Sequence, residues 1–293
     1  MEKLKQFNYT PMLGWSVSRY DLFQKCKHQY YFNYYGKYDQ EYDYSHINRL
    51  KDMTSIPLEI GNIVHDVIKS LLERLLKNEG KIDRGRFLDF TQRKTESYCQ
   101  AKTFSEVYYN EIKDIDINSI FDSVSKCLVN FIDSDRFIWL TEKAVNNKKE
   151  WLIEPPGYGE TIIEGRKAYC KVDFLFPLDD KIFIIDWKTG KPQEEKHNFQ
   201  LLGYSTWASY HYGMDPTNII PIIAYLKPEY YEKECKINEY DIQKFSSCVR
   251  AQTEEMYEYC LNIEENIPKD RESFYKTNNQ AICNYCNFRE LCK

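Results

Sequence analysis

The feature that most limits what this chain can fold into is a change of hydrophobic period near residue 169. Upstream, apolar residues recur at three and four, the helical spacing. Then two short runs rich in Val, Ile and Phe follow, Tyr169–Phe176 and Lys181–Trp187, separated only by Pro177, Leu178, Asp179 and Asp180. Runs of that length around a turn-forming segment predict a β-hairpin. The flanking segments read differently. Residues 15–35 predict one capped helix, with Ser16 or Ser18 as cap and Leu22, Phe23, Tyr30, Tyr31 and Tyr34 near helical spacing. Residues 58–77 predict a second, carrying Ile60, Ile63, Val64, Val67, Ile68, Leu71, Leu72 and Leu75, with His65 inside it. Residues 86–145 are charged and mostly helical in pattern, as in an insertion or cap. Past the hairpin come a helix over Phe199–Tyr212, a strand over Asn218–Leu226, a long helix over 238–265 and an irregular tail. This order implies a mixed α/β core wrapped by helices.

Composition narrows the function classes. The 293 residues carry a formal net charge of -5, so contact with nucleic acid must come from local basic patches or bound metal rather than a global field. Ten cysteines are too sparse for a disulfide scaffold. The N-terminal residues lack a signal-like apolar run, and no apolar stretch reaches the roughly 18 residues of a membrane span. A soluble, cytoplasmic protein with reduced thiols is therefore expected, without membrane contact.

The chemistry concentrates on the hairpin. Antiparallel pairing around the 177–180 turn sets Asp186 opposite Asp173 or one position off it, close enough for two carboxylates to share a cation. Lys188, two residues beyond Asp186, projects to the same face. Hard cations such as Mg²⁺ take oxygen ligands, and carboxylates that hold them beside a phosphate answer both obstacles to phosphodiester hydrolysis, the anionic centre and the poor leaving group. A lysine there can orient the attacking water and offset the charge building on phosphate. Asp-x-Lys alone is common. Here, however, Asp186 ends the apolar run Phe183, Ile184, Ile185, where a carboxylate is costly unless paired or bound to metal.

The segment Ile184-Ile185-Asp186-Trp187-Lys188-Thr189-Gly190-Lys191 resembles the signature strand of the PD-(D/E)xK nuclease superfamily, in its RecB-like branch. Three further elements agree in order. Gly61-Asn62-Ile63-Val64-His65 resembles the helical G-x-x-x-H motif, Lys171-Val172-Asp173 the strand with the first aspartate, and Gln200-Leu201-Leu202-Gly203-Tyr204 the Q-x-x-x-Y motif. The branch usually has glycine three residues before that aspartate; this chain has Cys170. The resemblance implies a restriction-endonuclease-like core in which His65, Asp173, Asp186 and the backbone carbonyl of Trp187 hold Mg²⁺ or Mn²⁺. It makes Lys188 the catalytic lysine, with Asp173 and Asp186 as its catalytic partners. Gln200 and Tyr204, four apart on one helical face, are implied to touch a DNA backbone.

The tail carries Cys283-x-x-Cys286-x₅-Cys292, one ligand short of a four-coordinate site, and Cys26 on the first helix is the candidate fourth. One early cysteine and a late C-x-x-C-x₅-C resemble the iron–sulfur staple of the same branch, seen in AddB-type helicase–nucleases and CRISPR adaptation nucleases. That layout implies a 4Fe–4S cluster joining the N- and C-terminal regions, although this chain has Lys27 where the family commonly has proline after the first cysteine. Spacing does not choose the metal, and a Cys₄ zinc site stays open. The other cysteines, Cys99, Cys127, Cys170, Cys235, Cys248 and Cys260, read as buried small hydrophobes. Arg19, Lys25, Lys27 and His28, interleaved with tyrosines, read first as a solvated basic face. Arg19, near a helix N-terminus where a phosphate can bind, is kept as a DNA-contact candidate.

Taken together, residues 1–293 are expected to form a single nuclease domain. Its parts are an N-terminal helix with the first cluster cysteine (1–55), a helical region with the histidine motif (56–150), the catalytic α/β core (151–232), and a C-terminal helix with the cysteines (233–293). The expected activity is a divalent-metal-dependent deoxyribonuclease, an exonuclease or one acting on single strands or ends, in repair, recombination, CRISPR adaptation or anti-phage defence. A helicase or CRISPR adaptation protein is the partner this implies. The alternative is a non-catalytic DNA-binding or scaffold subunit of a helicase–nuclease complex with a structural metal cluster. No phosphate-binding loop of the G-x₄-G-K-[ST] type is present, so unwinding would need another chain.

Overall fold

A computed structural model describes residues 7–77, 82–154 and 160–292. The α-helices, in chain order, are α1 (Val17–Lys25), α2 (Lys27–Tyr35), α3 (Tyr44–Lys51), α4 (Ile56–Lys77), α5 (Arg84–Ala101), α6 (Ser105–Tyr108), α7 (Ile117–Ile132), α8 (Asp135–Glu142), α9 (Glu194–Tyr212), α10 (Glu239–Tyr257) and α11 (Gln280–Asn284). The strands are β1 (Leu152–Ile153), β2 (Glu160–Ile163), β3 (Arg166–Tyr169), β4 (Phe174–Leu178), β5 (Lys181–Lys188), β6 (Ile219–Tyr225), β7 (Tyr231–Glu234), β8 (Cys260–Asn262) and β9 (Ile267–Pro268). They divide into two compact units, one built from residues 54–159 and 171–242, the other from 6–53, 160–170 and 243–293.

The first unit holds the five-stranded sheet, ordered β1-β4-β5-β6-β7. Its centre is the predicted hairpin with a shifted first strand: β4 and β5 pair antiparallel from Leu178↔Lys181 to Phe174↔Ile185. That strand runs over 174–178 rather than 169–176, because Tyr169 pairs in β3 and Pro177 and Leu178 join the ladder instead of the turn. Strand β6 joins β5 in parallel, a pairing that requires a crossover, and α9 supplies it. The result is the mixed sheet flanked by helices that the sequence implied. Helix α4 exists because its apolar residues repeat at three and four, and that stripe, from Ile63 through Leu75, is buried. It packs with α5 and α7 against one sheet face, where Phe174, Phe176, Ile185, Trp187, Ile222 and Ala224 complete the core. The opposite face of β5 carries Asp186 and Lys188 toward α9. That helix stops at Gly213, whose φ of 61° is left-handed and suits a residue without Cβ.

The second unit absorbs much of the aromatic excess. Phe23, Tyr30, Tyr31, Phe32, Tyr35 and Phe274 are all buried and stack edge-on or tilted on one another. Strand β3 is extended on one side by Trp15, whose backbone exchanges hydrogen bonds of 2.8 Å with Lys167 and Tyr169.

Two helix expectations also change. The single helix over 15–35 is two helices broken at Cys26, whose backbone is extended at φ -162° while its Sγ caps α2 by accepting from Gln29 N at 3.4 Å. The apolar phase runs through the break, so periodicity alone could not locate it. The long helix over 238–265 ends at Tyr257, and the hairpin β8–β9 follows. There Asn262 Oδ1 accepts from Glu265 N at 3.0 Å and Asn266 takes a left-handed φ of 53°, an Asx turn that competes with helix. Among the described residues no helix is long and apolar enough to cross a membrane.

Phe131 of α7 is fully buried, with its ring 4.8 Å from that of Trp187 and 5.2 Å from that of Phe137. Phe131→Ala should lower unfolding free energy by about 3–5 kcal/mol in a urea titration, the usual cost of an emptied aromatic site. Ile138→Ala, at a position 48% exposed, should change it by no more than about 0.5 kcal/mol.

Candidate functional site

The site is built at the C-terminal end of β5. Asp173 lies one residue before β4, and the register Phe174↔Ile185 continues to set it opposite Asp186. Asp173 Oδ2 accepts the Trp187 amide at 3.1 Å, so this carboxylate is held by backbone as well as by side chains. Asp186 is 1% exposed. One of its oxygens accepts the Tyr204 hydroxyl at 3.0 Å. The other lies against the Lys188 ammonium and, among the described residues, has no hydrogen bond of normal geometry. Burial of Asp186, with Asp173 beside it, raises its pKa above its ordinary value, Lys188 acting in the opposite sense.

His65 reaches the same place from α4. Its Nδ1 is 3.4 Å from Asp173 Oδ2 and its Nε2 3.0 Å from the Trp187 carbonyl oxygen. Burial alone would lower the imidazole's pKa, but the charge of Asp173, its hydrogen bond and the charge of Asp186 behind it outweigh that and lift it to about 9. Burial would raise Asp173, yet His65 above all, then Lys188 and the Trp187 amide, draws it below its ordinary value. Gly61, one turn earlier, stands beside Thr189; an added Cβ would meet Thr189 Oγ1 only at an ordinary 3.5 Å.

Gln200 and Tyr204 enter this network from α9. Lys188 Nζ donates to Gln200 Oε1 at 2.9 Å, and Gln200 Nε2 donates to the Tyr204 hydroxyl. Tyr204 is buried, and Gln200 is half-buried. The expected four-residue spacing is present, but both side chains are engaged with Lys188 and Asp186.

Two further groups belong to this neighbourhood and were not anticipated. Glu154 follows β1; its amide bonds the Asp173 carbonyl at 2.9 Å, and its carboxylate stands 3.4 Å from Lys69 and 3.6 Å from Lys171. His197, three residues before Gln200 on α9, has Nδ1 2.8 Å from the Tyr225 hydroxyl. Burial, helped by Lys188 and Lys196, lowers the His197 pKa to about 4, so the ring is neutral near pH 7. The helical spacing of His197 to Gln200 was a usable signal; the partner Tyr225 was not, because it depends on the β5–β6 register.

In the second unit, Cys26, Cys283, Cys286 and Cys292 come within electrostatic reach of one another. Burial, with the neighbouring Cys292, Cys26 and Cys283, pushes the Cys286 thiol up to about 12. The Cys292 thiol is raised too, burial leading and Cys26 and Cys283 contributing. Cys99, Cys127, Cys170 and Cys260 are buried as expected, whereas Cys235 and Cys248 are half-exposed. Arg19 is engaged internally: it donates to Tyr30 Oη at 3.1 Å and Gly14 O at 3.2 Å, with its guanidinium 4.1 Å from the Tyr34 ring. Lys25 and Lys27 are ion-paired with Asp21 and Glu255, and His28 is buried. Among the described residues, no three His, Cys, Asp or Glu side chains stand in the close arrangement of a ready metal site.

The metal-free site should show its charge balance as a pH dependence. His65, raised above its unfolded value of 6.5, contributes stability that is complete below about pH 6.5 and lost as pH climbs through about 9. Asp173, lowered, contributes above its unfolded value of 3.8 and loses that as pH falls through its folded value. Asp186, raised, loses its own contribution as pH climbs from 3.8 through its folded value. The Tm of EDTA-treated protein should therefore fall between pH 6.5 and 9.5, and His65→Gln should flatten the decline. An equally steep decline in that variant would remove His65 as its source.

A family model of the PD-(D/E)XK nuclease superfamily matches residues 14–293. No curated protein sequence matches the chain. Among solved structures, "Crystal structure of SSO0001" aligns at 16% identity with a TM-score of 0.31, over 64% of this chain and 77% of that one.

Proposed function

The chain belongs to the PD-(D/E)XK nuclease superfamily, and from that membership we propose that it is a divalent-metal-dependent deoxyribonuclease acting on single strands or ends. The observation that carries this reading is the buried Asp186, paired across the hairpin with Asp173 and flanked by Lys188. An oxygen of Asp186 that is short of a hydrogen-bond partner, in a place where burial disfavours its charge, fits a carboxylate that completes itself with a cation. Asp173, Asp186, His65 and the Trp187 carbonyl offer the oxygen-rich donor set suited to Mg²⁺ or Mn²⁺. Such an ion supplies Lewis-acid stabilisation of phosphate and a water of lowered pKa.

The chain's own residues do the rest. Lys188, held between Asp186 and Gln200, presents its ammonium to the phosphate and orients the attacking water. Tyr204 fixes one oxygen of Asp186, and the Lys188 ammonium lies against the other. Gln200, half-buried, is the member of the pair within reach of a DNA backbone, and Arg19 in the second unit is assigned the same role. The setting this suits is repair, recombination, CRISPR adaptation or defence, with unwinding supplied by a separate helicase.

We also propose that Cys26, Cys283, Cys286 and Cys292 hold a 4Fe–4S cluster. The Cys286 and Cys292 thiols, raised by burial with Cys26 and Cys283 close by, become thiolates only if a cationic centre compensates them. Cys26 adds a sulfur at the N-terminus of α2, where negative charge is favoured.

Asp186→Ala should leave no detectable cutting of labelled single-stranded DNA in Mg²⁺ or Mn²⁺. Lys188→Ala should lower the rate by on the order of a hundred- to a thousandfold. EDTA should stop the wild type. Wild-type rates in either variant would end the proposal. Anaerobically purified protein should be brown, with a broad absorption shoulder in the blue, and Cys286→Ser should lose iron, sulfide and colour. Colourless protein with stoichiometric zinc would replace the cluster with a Cys₄ zinc site.

A further inference from the structure

The strand register places an aromatic pair in line with the catalytic lysine. Lys188 pairs with Tyr225 across the parallel β5–β6 ladder, and Tyr225 pairs with Tyr231 across the antiparallel β6–β7 ladder. Residues paired in this way share a face, and neighbouring strands are about 4.8 Å apart, so the row spans about 10 Å from Lys188 to the sheet edge. The face is the one covered by α9. Lys188 meets Gln200 there, and Lys233, two residues on from Tyr231, meets Glu194 at 2.9 Å.

The two tyrosine rings are stacked, with centroids 4.6 Å apart and planes 17° from parallel. Tyr225 is fully enclosed, and its hydroxyl is fixed by His197. Tyr231 is 40% exposed. The arrangement is therefore a rigid inner ring carrying an accessible outer ring on the edge strand. An exposed aromatic at an edge normally has little to hold its orientation; this one is aligned by a buried partner that is itself hydrogen-bonded.

We infer that Tyr231 is a stacking platform for a nucleobase of the substrate strand, adjacent to the phosphate that Lys188 faces. The spacing suits it. A row of about 10 Å accommodates one phosphate at the lysine end and a splayed base at the aromatic end. Lys233, on the same face, is ion-paired with Glu194, so the platform works through π-face contact rather than phosphate attraction. A base inside a duplex cannot occupy it, because both of its faces are already stacked; an unpaired or frayed-end base can. Tyr231 thus selects single-stranded or frayed DNA and sets the register of cutting. The inference rests on the nuclease reading and names its substrate class.

The test uses the full chain with single-stranded oligodeoxynucleotides carrying one 2-aminopurine, moved one nucleotide at a time, in Ca²⁺ to suppress turnover. Wild-type protein should quench the probe at one or two positions only, and the same strand annealed to its complement should show no such quenching. Tyr231→Phe, which keeps the ring, should retain it. Tyr231→Ala should abolish it and weaken binding about tenfold. Tyr231→Leu keeps apolar cover over Tyr225 but has no π-face, and gives the same answer should the alanine variant fail to fold. Wild-type quenching and affinity in Tyr231→Leu would overturn the platform, as would loss in Tyr231→Phe equal to that in Tyr231→Leu. Because quenching is read without cleavage, inactive wild-type protein counts against the nuclease reading, and unchanged quenching in Tyr231→Leu counts against the platform, so the two fail separately.

Discussion

The structure of the first unit turns on two carboxylates forced together by a hairpin. Cross-strand neighbours about 5 Å apart repel by on the order of 3 kcal/mol at an effective dielectric of about 20, and burial adds a desolvation penalty. Everything around Asp173 and Asp186 can be understood as an answer to that conflict. His65 approaches one carboxylate and Lys188 the other. The Trp187 amide and the Tyr204 hydroxyl each donate one hydrogen bond. The answers come from α4 on one side of the sheet and α9 on the other, so the helical layers are placed by charge as well as by the apolar core. The compensation is divided unequally. Asp173 is drawn below its ordinary pKa and Asp186 is held above it. The pair therefore keeps one carboxylate that ionises readily and one that resists unless further positive charge arrives.

Much of this was legible in the sequence because it depends on short-range rules. A two-run hairpin with a tight turn, only Asp179 and Asp180 lying between the paired Leu178 and Lys181, constrains its own register, and that register brings Asp173 to Asp186. His65 follows from helical periodicity together with its order among the motifs. Lys188 follows from the period of two along a strand. What was not legible depends on pairings between distant segments. The row Lys188, Tyr225, Tyr231 needs the offset between β5 and β6, which is set by how α9 packs during the crossover, and no local pattern encodes it. The pairing Q-x-x-x-Y was visible as spacing, but its direction, into Lys188 and Asp186, required the sheet beneath it. Cys26 shows a third kind of failure. Its neighbours keep a helical phase through a break in the helix, so the kink that frees its sulfur leaves no trace in periodicity.

The aromatic content divides along the same lines. In the second unit it forms packing: Phe23, Tyr30, Tyr31, Phe32 and Phe274 fill an interior that short helices and two-stranded ladders could not otherwise close. Arg19, Lys27 and His28, which in sequence suggest a basic stacking surface, are drawn into that interior or paired at its rim. In the first unit Tyr204 and Tyr225 are amphipathic components of a polar network, each with a buried ring and a hydroxyl aimed at an ionisable group.

The second unit is assembled from three separated stretches, residues 6–53, 160–170 and 243–293. During synthesis its first stretch leaves the ribosome long before its last. Phe32 waits for Phe288, and Tyr31 for Phe274, while the whole first unit is being made. An aromatic-rich N-terminal segment therefore spends that interval without its packing partners. The same delay fixes an order of maturation. The cysteine group cannot be complete until Cys292 has been translated, so any metal it takes enters a chain whose nuclease half has already had time to fold.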